Sequence, residues 1–135
     1  MIENIFKKKR VLKPWGYESI WAIGGVEGGY IGKLIHINPG HRLSFQYHVE
    51  KEETVLVKSG TLYIETAGIV TPNESESLIK NRDREIYKLS EGDVFHIPRL
   101  MTHRFFSKEG EVEIIEVSSK EIFDIVRIED DYGRA

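Results

Sequence analysis

Cysteine is absent from this 135-residue chain, which excludes thiol catalysis, disulfide bonds and cysteine-ligated metal sites. A transition metal would therefore have to be held by histidine, carboxylate or amide groups. Apolar runs of the roughly 18 residues that span a bilayer are also missing, and residues 1–10 lack the apolar stretch of a secretory signal. We accordingly expect a cytoplasmic protein that does not enter a membrane.

A marked excess of charge of either sign is missing too, since the formal net charge is −3. This balance gives no electrostatic reason to expect nucleic acid or an anionic membrane as a partner. The length is that of one domain able to bury its own core. We expect a single domain over residues 1–135, with a solvated leader over 1–12 and a C-terminal tail over 119–135.

Long segments of helical periodicity are lacking, and short strand-like runs dominate instead. Runs rich in β-branched residues, punctuated by Gly and Pro, predict strands over residues 31–37, 43–49, 54–57, 61–66, 85–89, 94–97, 103–107 and 112–118. Short strands at this spacing favour an all-β sandwich or barrel. The runs on either side of Ser59-Gly60 predict a hairpin. Residues 68–84 predict a long loop or an extended hairpin, and residues 118–126 have room for one helical turn.

Several metal-capable side chains follow the pattern of these strands. Ser44, Gln46 and His48 share one face of a strand, because side chains alternate along it. Glu53 follows a short turn and has the parity of the apolar residues in the next strand. His103 begins a much later strand. Two ligands at alternate positions of one strand can point at a common centre, and a neighbouring strand could bring the carboxylate of Glu53 to the same place.

The spacing of these residues resembles the two sequence motifs of the cupin superfamily. In place of the first motif stand Gly40, five residues, Gln46-Tyr47-His48, four residues, Glu53, six residues and Gly60. In place of the second stand Gly92, five residues, Pro98-Arg99-Leu100, two residues, His103, three residues and Ser107. The chain departs from the family at Gln46, Leu100 and Ser107, where the motifs have His, Gly and Asn. Only Gln46 occupies a ligand position.

This resemblance implies an all-β cupin-type double-stranded β-helix, that is, a jelly-roll barrel. It also implies one divalent metal ion per chain, held by Gln46, His48, Glu53 and His103. Glu52 competes with Glu53 as the carboxylate ligand, although only Glu53 keeps the six-residue spacing to Gly60. A set of two imidazoles, one carboxylate and one amide suits zinc, our first expectation, and also Mn, Ni or Fe. Cupins commonly pair, so we expect a homodimer.

Three further blocks narrow the resemblance to the type II phosphomannose isomerase cupin. They are Lys13-Pro14-Trp15-Gly16-Tyr17, Leu43-Ser44-Phe45-Gln46-Tyr47-His48, and Asp124-Ile125-Val126-Arg127 with Asp130-Asp131-Tyr132-Gly133-Arg134. That cupin often forms the C-terminal part of bifunctional enzymes with a mannose-1-phosphate guanylyltransferase domain, for which this chain has no room. The resemblance implies an aldose–ketose isomerase acting on a phosphorylated sugar, such as mannose 6-phosphate, in polysaccharide biosynthesis.

The implied chemistry suggests roles for further residues. A metal can polarise the sugar carbonyl, a base must move a proton between adjacent carbons, and cations must hold the phosphate. Lys33 and Lys51 are our catalytic candidates. The substrate-binding candidates are Arg42, Ser44 and Arg127, of which the arginines suit two-pronged phosphate contact. The general base stays open among Lys51, Glu52 and His41.

Two positions beside the ligand carboxylate differ from the isomerases, which commonly carry Arg and His where this chain has Lys51 and Thr54. Lys keeps the charge but not the two-pronged contact, and Thr cannot serve as an acid or base near neutral pH. If those family residues are catalytic, the substrate is different or the activity is lost. The alternatives are therefore a non-catalytic sugar- or sugar-nucleotide-binding cupin, an epimerase, or an Fe(II) oxygenase.

Overall fold

The alternating and β-branched runs of the sequence form strands in a computed structural model, which describes residues 5–25, 28–120 and 124–135. The elements in chain order are β1 (Lys9–Lys13), β2 (Gly16–Gly24), β3 (Tyr30–Ile37), β4 (Phe45–Tyr47), β5 (Glu53–Ser59), β6 (Leu62–Thr66), α1 (Glu76–Lys80), β7 (Glu85–Leu89), β8 (Val94–Ile97), β9 (Arg104–Phe106), β10 (Val112–Ser119) and β11 (Val126–Glu129). The all-β class predicted from the sequence is confirmed. The described residues contain no helix with the length and apolar character that crossing a membrane requires.

Two walls of antiparallel strands face each other. The first is a six-stranded sheet with the order β1-β2-β3-β10-β5-β8. The second wall is made of a three-stranded sheet, β7-β6-β9, and a two-stranded sheet, β11-β4. Isolated bridges between Gln46 and His103 and between Arg42 and Phe106 join these two smaller sheets. The chain thus forms a barrel whose second wall carries β4 and β9, the strands next to the predicted site.

The inner faces of both walls are apolar over most of their length. Along β10, Val112 and Ile114 are buried at alternate positions, as the period of a strand requires. They pack with Ile37, Val55 and other inward residues into the main core cluster. A second cluster lies under the loop after β6, where Phe45 meets residues of that loop and of β11. Charged residues at inward positions of these same strands are therefore exceptions, and they form the site.

The predicted leader over residues 1–12 is wrong for residues 9–12, which belong to β1. This strand pairs antiparallel with β2, from Lys9 opposite Ile20 to Lys13 opposite Gly16. Its side chains are mostly exposed, so backbone hydrogen bonds to β2 hold this strand in place. A hydrophobic pattern in the sequence does not reveal such bonds. Residues 1–4 of the predicted leader lie outside the described residues.

Residues 68–84 connect β6 to β7, which pair with each other, so the extended-hairpin alternative is the one observed. The connection is not wholly exposed. It contains α1, whose N-terminus is capped by the Ser75 hydroxyl. Ile79 of α1 is fully buried in the second core cluster, and Val70 packs beside it. This mostly polar connection is thus held to the core by two buried apolar residues, Val70 and Ile79.

The hairpin predicted around Ser59-Gly60 is wrong. Strand β5 pairs with β8 and β10, whereas β6 pairs with β7 and β9. Gly60 has a positive φ of 81°, and a Cβ atom there would lie 2.3 Å from the Glu111 carbonyl oxygen. This glycine lets the chain turn from one wall to the other instead of folding back on itself.

The predicted tail over 119–135 contains β11, which pairs with β4. The helical turn predicted over 118–126 is not seen in its described part. Ser118 and Ser119 end β10 and Val126 begins β11, so both ends of that stretch are extended. Residues 121–123 lie outside the described residues.

Candidate metal centre

Three of the four predicted ligands come from three different places, two in the second wall and one, Glu53, in the first. Glu53 is the first residue of β5, His48 follows β4 directly, and His103 immediately precedes β9. The backbones of Gln46 and His103 exchange two hydrogen bonds, with N–O distances of 3.0 and 2.8 Å. This exchange places the side chains of β4 and β9 on one face, next to β5.

The side chains of His48, Glu53 and His103 converge on one point, with a ligand atom from each lying within 4.8 Å of the others. The Nε2 atom of His103 is 3.2 Å from Oε1 of Glu53, and Nε2 of His48 is 3.9 Å from Oε2 of the same carboxylate. Ligands around a tetrahedral ion with bonds of about 2.0–2.2 Å stand roughly 3.3–3.6 Å apart. The three groups are thus spaced for one ion with little movement.

Backbone carbonyls orient both imidazoles. His48 donates from Nδ1 to the carbonyl of Asp124 at 2.5 Å, and His103 donates from Nδ1 to the carbonyl of Met101 at 2.9 Å. Each ring therefore turns Nε2 toward Glu53, which is the arrangement that metal-binding histidines commonly have. Burial lowers the pKa of His48 to about 4, so this ring is neutral and its lone pair is available at neutral pH.

The buried Nε2 atom of His103 has no hydrogen-bond partner among the described residues. It faces the Glu53 carboxylate. Burial raises the pKa of this carboxyl, but His103, Lys51 and His48 together outweigh burial and hold the pKa below its ordinary range. A lone pair and a carboxylate at this distance need a positive charge between them, either a proton or a metal ion. Two imidazoles and one carboxylate form a donor set that fits a divalent transition metal.

Gln46 lies beside this triad with its amide turned away from the ligand orientation. Its Oε1 accepts a hydrogen bond from the Ser44 hydroxyl at 2.5 Å, and its Nε2 is 3.4 Å from Nε2 of His48. Amide oxygen and nitrogen exchange places by rotation about the last side-chain torsion. After that rotation the oxygen would face the ion and the Ser44 hydroxyl could accept from the amide nitrogen. Ser44 is thus a neighbour that orients Gln46.

Lys51 is buried against two acidic side chains, Glu53 and Glu116. Its Nζ is 3.1 Å from Glu53 Oε2 and 3.7 Å from Glu116 Oε2. Burial lowers the pKa of Lys51, but the charges of Glu116 and Glu53 outweigh it, so the pKa lies above its ordinary value. Burial and the charge of Glu53 raise the pKa of Glu116 to about 7. The sequence reasoning missed Glu116, although it shares the inward parity of Ile114 on β10.

The triad forms one side of a cavity in the barrel. Its lining residues are Lys13, Trp15, Glu18, Lys33, Ile35, Leu43, Ser44, Gln46, His48, Lys51, Glu53, Phe105, Glu116, Ile125, Arg127 and Arg134. Five of these side chains are cationic and three are acidic, so the wall has a surplus of positive charge suited to an anionic ligand. Lys33 points inward and forms an ion pair with Glu18 at 3.2 Å.

The predicted site residues do not all meet at this cavity. Arg127 lines it, opposite Gln46 in the β11–β4 ladder, and its buried Nε has no hydrogen-bond partner among the described residues. Arg42 is not a lining residue, because its guanidinium forms a two-pronged pair with Asp131. The side chain of Glu52 is 60% exposed and lies near His96, whereas Glu53 is buried. Of the two competing carboxylates, only Glu53 reaches the triad.

Thr54 lies on the outer face of the six-stranded sheet, where its hydroxyl is 3.0 Å from Nδ1 of His96. The next position along the strand from an inward residue points outward, so this follows from the burial of Glu53. Thr54, which stands where the isomerases commonly have His, therefore does not alter the cavity. Lys51, which stands where they commonly have Arg, lines the cavity.

Leu100, which stands where the cupin motif has Gly, adopts a positive φ of 66°. This conformation is costly for a leucine and natural for glycine. Its amide donates to the His48 carbonyl at 2.7 Å, and its side chain packs against the second core cluster. The strained turn is thus hydrogen-bonded to the loop that carries His48, and it lies three residues before His103.

The chain is similar to known proteins over most of its length. Residues 3–130 match the family model described as "Mannose-6-phosphate isomerase C-terminal". The chain is 33% identical over 132 residues to the xanthan biosynthesis protein XanB of Xanthomonas campestris, covering 93% of this chain and 24% of that protein. It is 33% identical over 130 residues to the alginate biosynthesis protein AlgA of Pseudomonas aeruginosa, covering 92% and 23%. The chain thus spans about a quarter of the length of these relatives.

A third relative is the mannose-1-phosphate guanylyltransferase ManC of Salmonella typhimurium, 32% identical over 132 residues that cover 93% of this chain and 23% of that protein. Among solved structures, the capsular polysaccharide assembling protein CapF of Staphylococcus aureus matches with a TM-score of 0.72 at 17% identity, over 93% of this chain and 33% of that one. Oxalate decarboxylase of Bacillus subtilis matches with a TM-score of 0.66 at 14% identity, over 89% and 30%. The predicted cupin-type fold is confirmed by these likenesses.

Proposed function

The chain belongs to the mannose-6-phosphate isomerase C-terminal family, and from this premise we propose that it is a metal-dependent sugar-phosphate isomerase. The proposed reaction exchanges an aldose and a ketose, with mannose 6-phosphate and fructose 6-phosphate as the substrate pair. The observation that carries the proposal is the buried His48, Glu53 and His103 triad in the wall of a cavity rich in cations. The names of the relatives support a role in polysaccharide biosynthesis.

A divalent ion on the triad and Gln46 would polarise the sugar carbonyl and its neighbouring hydroxyl as a Lewis acid. Lys51 is held beside Glu53 by its ion pairs with Glu53 and Glu116, so its ammonium could stabilise negative charge that develops on sugar oxygens near the ion. Lys33 approaches from β3, with Glu18 holding its Nζ. We assign both lysines to stabilising the charge that develops while a general base moves a proton between adjacent carbons. Of the three candidates for that base, Lys51 is held as an ammonium by Glu53 and Glu116, and neither Glu52 nor His41 lines the cavity.

The sugar phosphate would be held on the side of the cavity formed by β11. Arg127 lines the cavity next to Gln46. Its Nε has no hydrogen-bond partner among the described residues, so its guanidinium could turn to a phosphate oxygen without breaking a hydrogen bond from that atom. Ser44 lies nearby, with its hydroxyl against Gln46, and as a neutral group it offers a phosphate less than a guanidinium does. Arg42 could bind the phosphate, as the sequence predicted, only by breaking its ion pair with Asp131. We therefore place Arg127 first among the phosphate contacts.

The experiment that tests the proposal loads the purified chain with Zn²⁺ and follows conversion of mannose 6-phosphate to fructose 6-phosphate. We expect turnover with the phosphorylated sugar and none with mannose. Arg127→Gln should raise KM by about 10–100-fold, the loss of one or two charge-assisted hydrogen bonds. Arg42→Gln is the matched control and should change KM by less than about threefold, since its ion pair lies outside the cavity.

Saturable binding of mannose 6-phosphate without any turnover, across Zn²⁺, Mn²⁺, Ni²⁺ and Fe²⁺, would contradict the isomerase and favour the sugar-binding alternative. Equal effects of the two arginine variants would contradict the placement of the phosphate. Turnover that requires oxygen would point to the oxygenase alternative.

We further propose that the ion is zinc and that the protein acts in the cytoplasm, where a soluble sugar-phosphate enzyme meets its substrate. Zinc accepts the two nitrogen ligands and one oxygen ligand of the triad at the observed spacing. Elemental analysis of protein purified without added metal checks this, and manganese, nickel or iron in place of zinc would contradict it.

We also propose a homodimer formed through the outer face of the six-stranded sheet. Trp21, Val94 and Val117 lie on this face and are 44%, 60% and 47% exposed. Trp21 covers Gly32, where a Cβ would lie 2.7 Å from the indole ring, so the outer surface is apolar there. Light scattering should give twice the chain mass of 15.6 kDa. A monomeric mass, or a dimer unaffected by Val117→Lys, would contradict this surface.

A further inference from the structure

Asp124, the first residue of the block Asp124-Ile125-Val126-Arg127, contacts the predicted ligand His48 on the side of the ring that faces away from Glu53. The backbone carbonyl of Asp124 accepts the hydrogen bond from Nδ1 of His48 at 2.5 Å. That bond fixes which ring nitrogen carries the proton and turns Nε2 toward Glu53. The orientation of one predicted ligand thus depends on where residue 124 is held.

The carboxylate of Asp124 holds the turn that follows His48. Its Oδ1 accepts from the backbone N–H of Val49 at 3.2 Å, and its Oδ2 accepts from Glu50 at 2.5 Å and from Lys51 at 3.0 Å. This turn joins β4 to β5 and presents Lys51. A single aspartate therefore links both sides of the site, through its carbonyl to His48 and through its side chain to the turn before Glu53.

We propose that Asp124 is a positioning residue of the metal centre, an inference that rests on the metal site of the proposed function. It contacts neither the ion position nor the substrate cavity. It acts by holding the His48 ring and the turn at residues 49–51 in the geometry that the ion needs. Because Arg127 follows on the same segment, Asp124 also fixes the approach of that arginine to Gln46.

A purely structural tether would have different consequences, and the chain offers a matched comparison. Asp131 belongs to the same segment and forms a two-pronged pair with Arg42, with N–O distances of 2.8 and 2.6 Å. Both aspartates thus anchor the segment to the barrel, but only Asp124 touches His48. Replacing either carboxylate tests whether anchoring the segment at any point sustains metal affinity, or whether it must be anchored beside His48.

The experiment measures binding of Zn²⁺ alone and Co²⁺ alone to the full chain and to Asp124→Asn and Asp131→Asn. The amide that replaces the Asp124 carboxylate would keep only one acceptor oxygen and turn an NH₂ group toward a backbone N–H. We expect Asp124→Asn to weaken the affinity for both ions by about 10-fold or more, within the 10–100-fold typical of outer-shell partners. We also expect it to change the visible absorption of bound Co²⁺. Asp131→Asn should stay within about twofold of the wild type, as a pair outside the site should, with an unchanged spectrum.

Affinity and Co²⁺ spectrum unchanged in Asp124→Asn, or changed equally in Asp131→Asn, would overturn the inference. If Asp124→Asn does not fold, Asp124→Glu is compared with Asp131→Glu, and equal affinities in that pair would overturn it as well. A wild-type chain that binds neither ion would overturn the metal centre and this inference together. No sugar phosphate enters these measurements, so a failure of the isomerase proposal would not alter their result.

Discussion

Replacing His103 with alanine is expected to abolish stoichiometric metal binding, from about one ion per chain in the wild type to close to none. The variant removes a nitrogen that is buried, has no hydrogen-bond partner among the described residues and faces Glu53 at 3.2 Å. Losing a direct ligand should cost more than the 10–100-fold that outer-shell changes cost, so we expect the affinity to fall by more than about 100-fold. Elemental analysis and competition with a metal indicator measure both quantities.

The matched control is His96→Ala. His96 lies on the outer face of the sheet, 54% exposed, with its ring near Thr54 and Glu52. This variant should keep the wild-type metal content. A full complement of metal in His103→Ala would contradict the site, and so would an equal loss in both variants. Circular dichroism of each metal-free variant separates loss of the ligand from loss of the fold.

The period of two along a strand was enough to predict that Ser44, Gln46 and His48 share a face, and the structure places all three in the cavity wall. Only the six-residue spacing to Gly60 favoured Glu53 over Glu52, and the structure places Glu53 in the triad and leaves the Glu52 side chain exposed. Convergence of His103 on Glu53 could not follow from this period. It depends on a backbone bridge between Gln46 and His103, which are 57 positions apart, and only the resemblance to a known spacing indicated it.

The sequence alone does not identify Glu18, Glu116 and Asp124 as neighbours of the site, because it does not predict the order of the strands. Glu116 reaches Lys51 because β10 lies between β3 and β5, an order that the pattern of a single strand does not contain. The same holds for the hairpin wrongly predicted around Gly60, where proximity in sequence suggested a pairing that the two-walled barrel does not make. Local pattern thus identifies elements and faces, whereas strand order decides which charged residues meet.

A buried lysine between two carboxylates supplies the second large expected effect. In the presence of a chelator, we expect Lys51→Met to lower the free energy of unfolding by about 3–5 kcal/mol, the usual cost of removing one partner from a buried ionic pair. Glu53 and Glu116 are each 3% exposed, so without Lys51 two acidic side chains would remain close together away from water. Urea unfolding followed by circular dichroism measures the change. With Zn²⁺ bound, the loss should be smaller, because the ion then offsets the charge of Glu53.

The double variant Lys51→Met, Glu116→Gln decides whether charge is the cause. Removing the second carboxylate abolishes both the repulsion and the proton uptake by Glu116 that Lys51→Met causes, so the double variant should regain part of the lost stability, with a coupling energy of about 1–3 kcal/mol. Lys58→Met is the surface control, since Lys58 pairs with Glu113 outside the cavity, and it should leave the unfolding midpoint nearly unchanged. A double variant no more stable than Lys51→Met would show that lost packing, and not unbalanced charge, causes the effect. Recovery would establish that Lys51 offsets in the metal-free protein the negative charge that the ion offsets when bound.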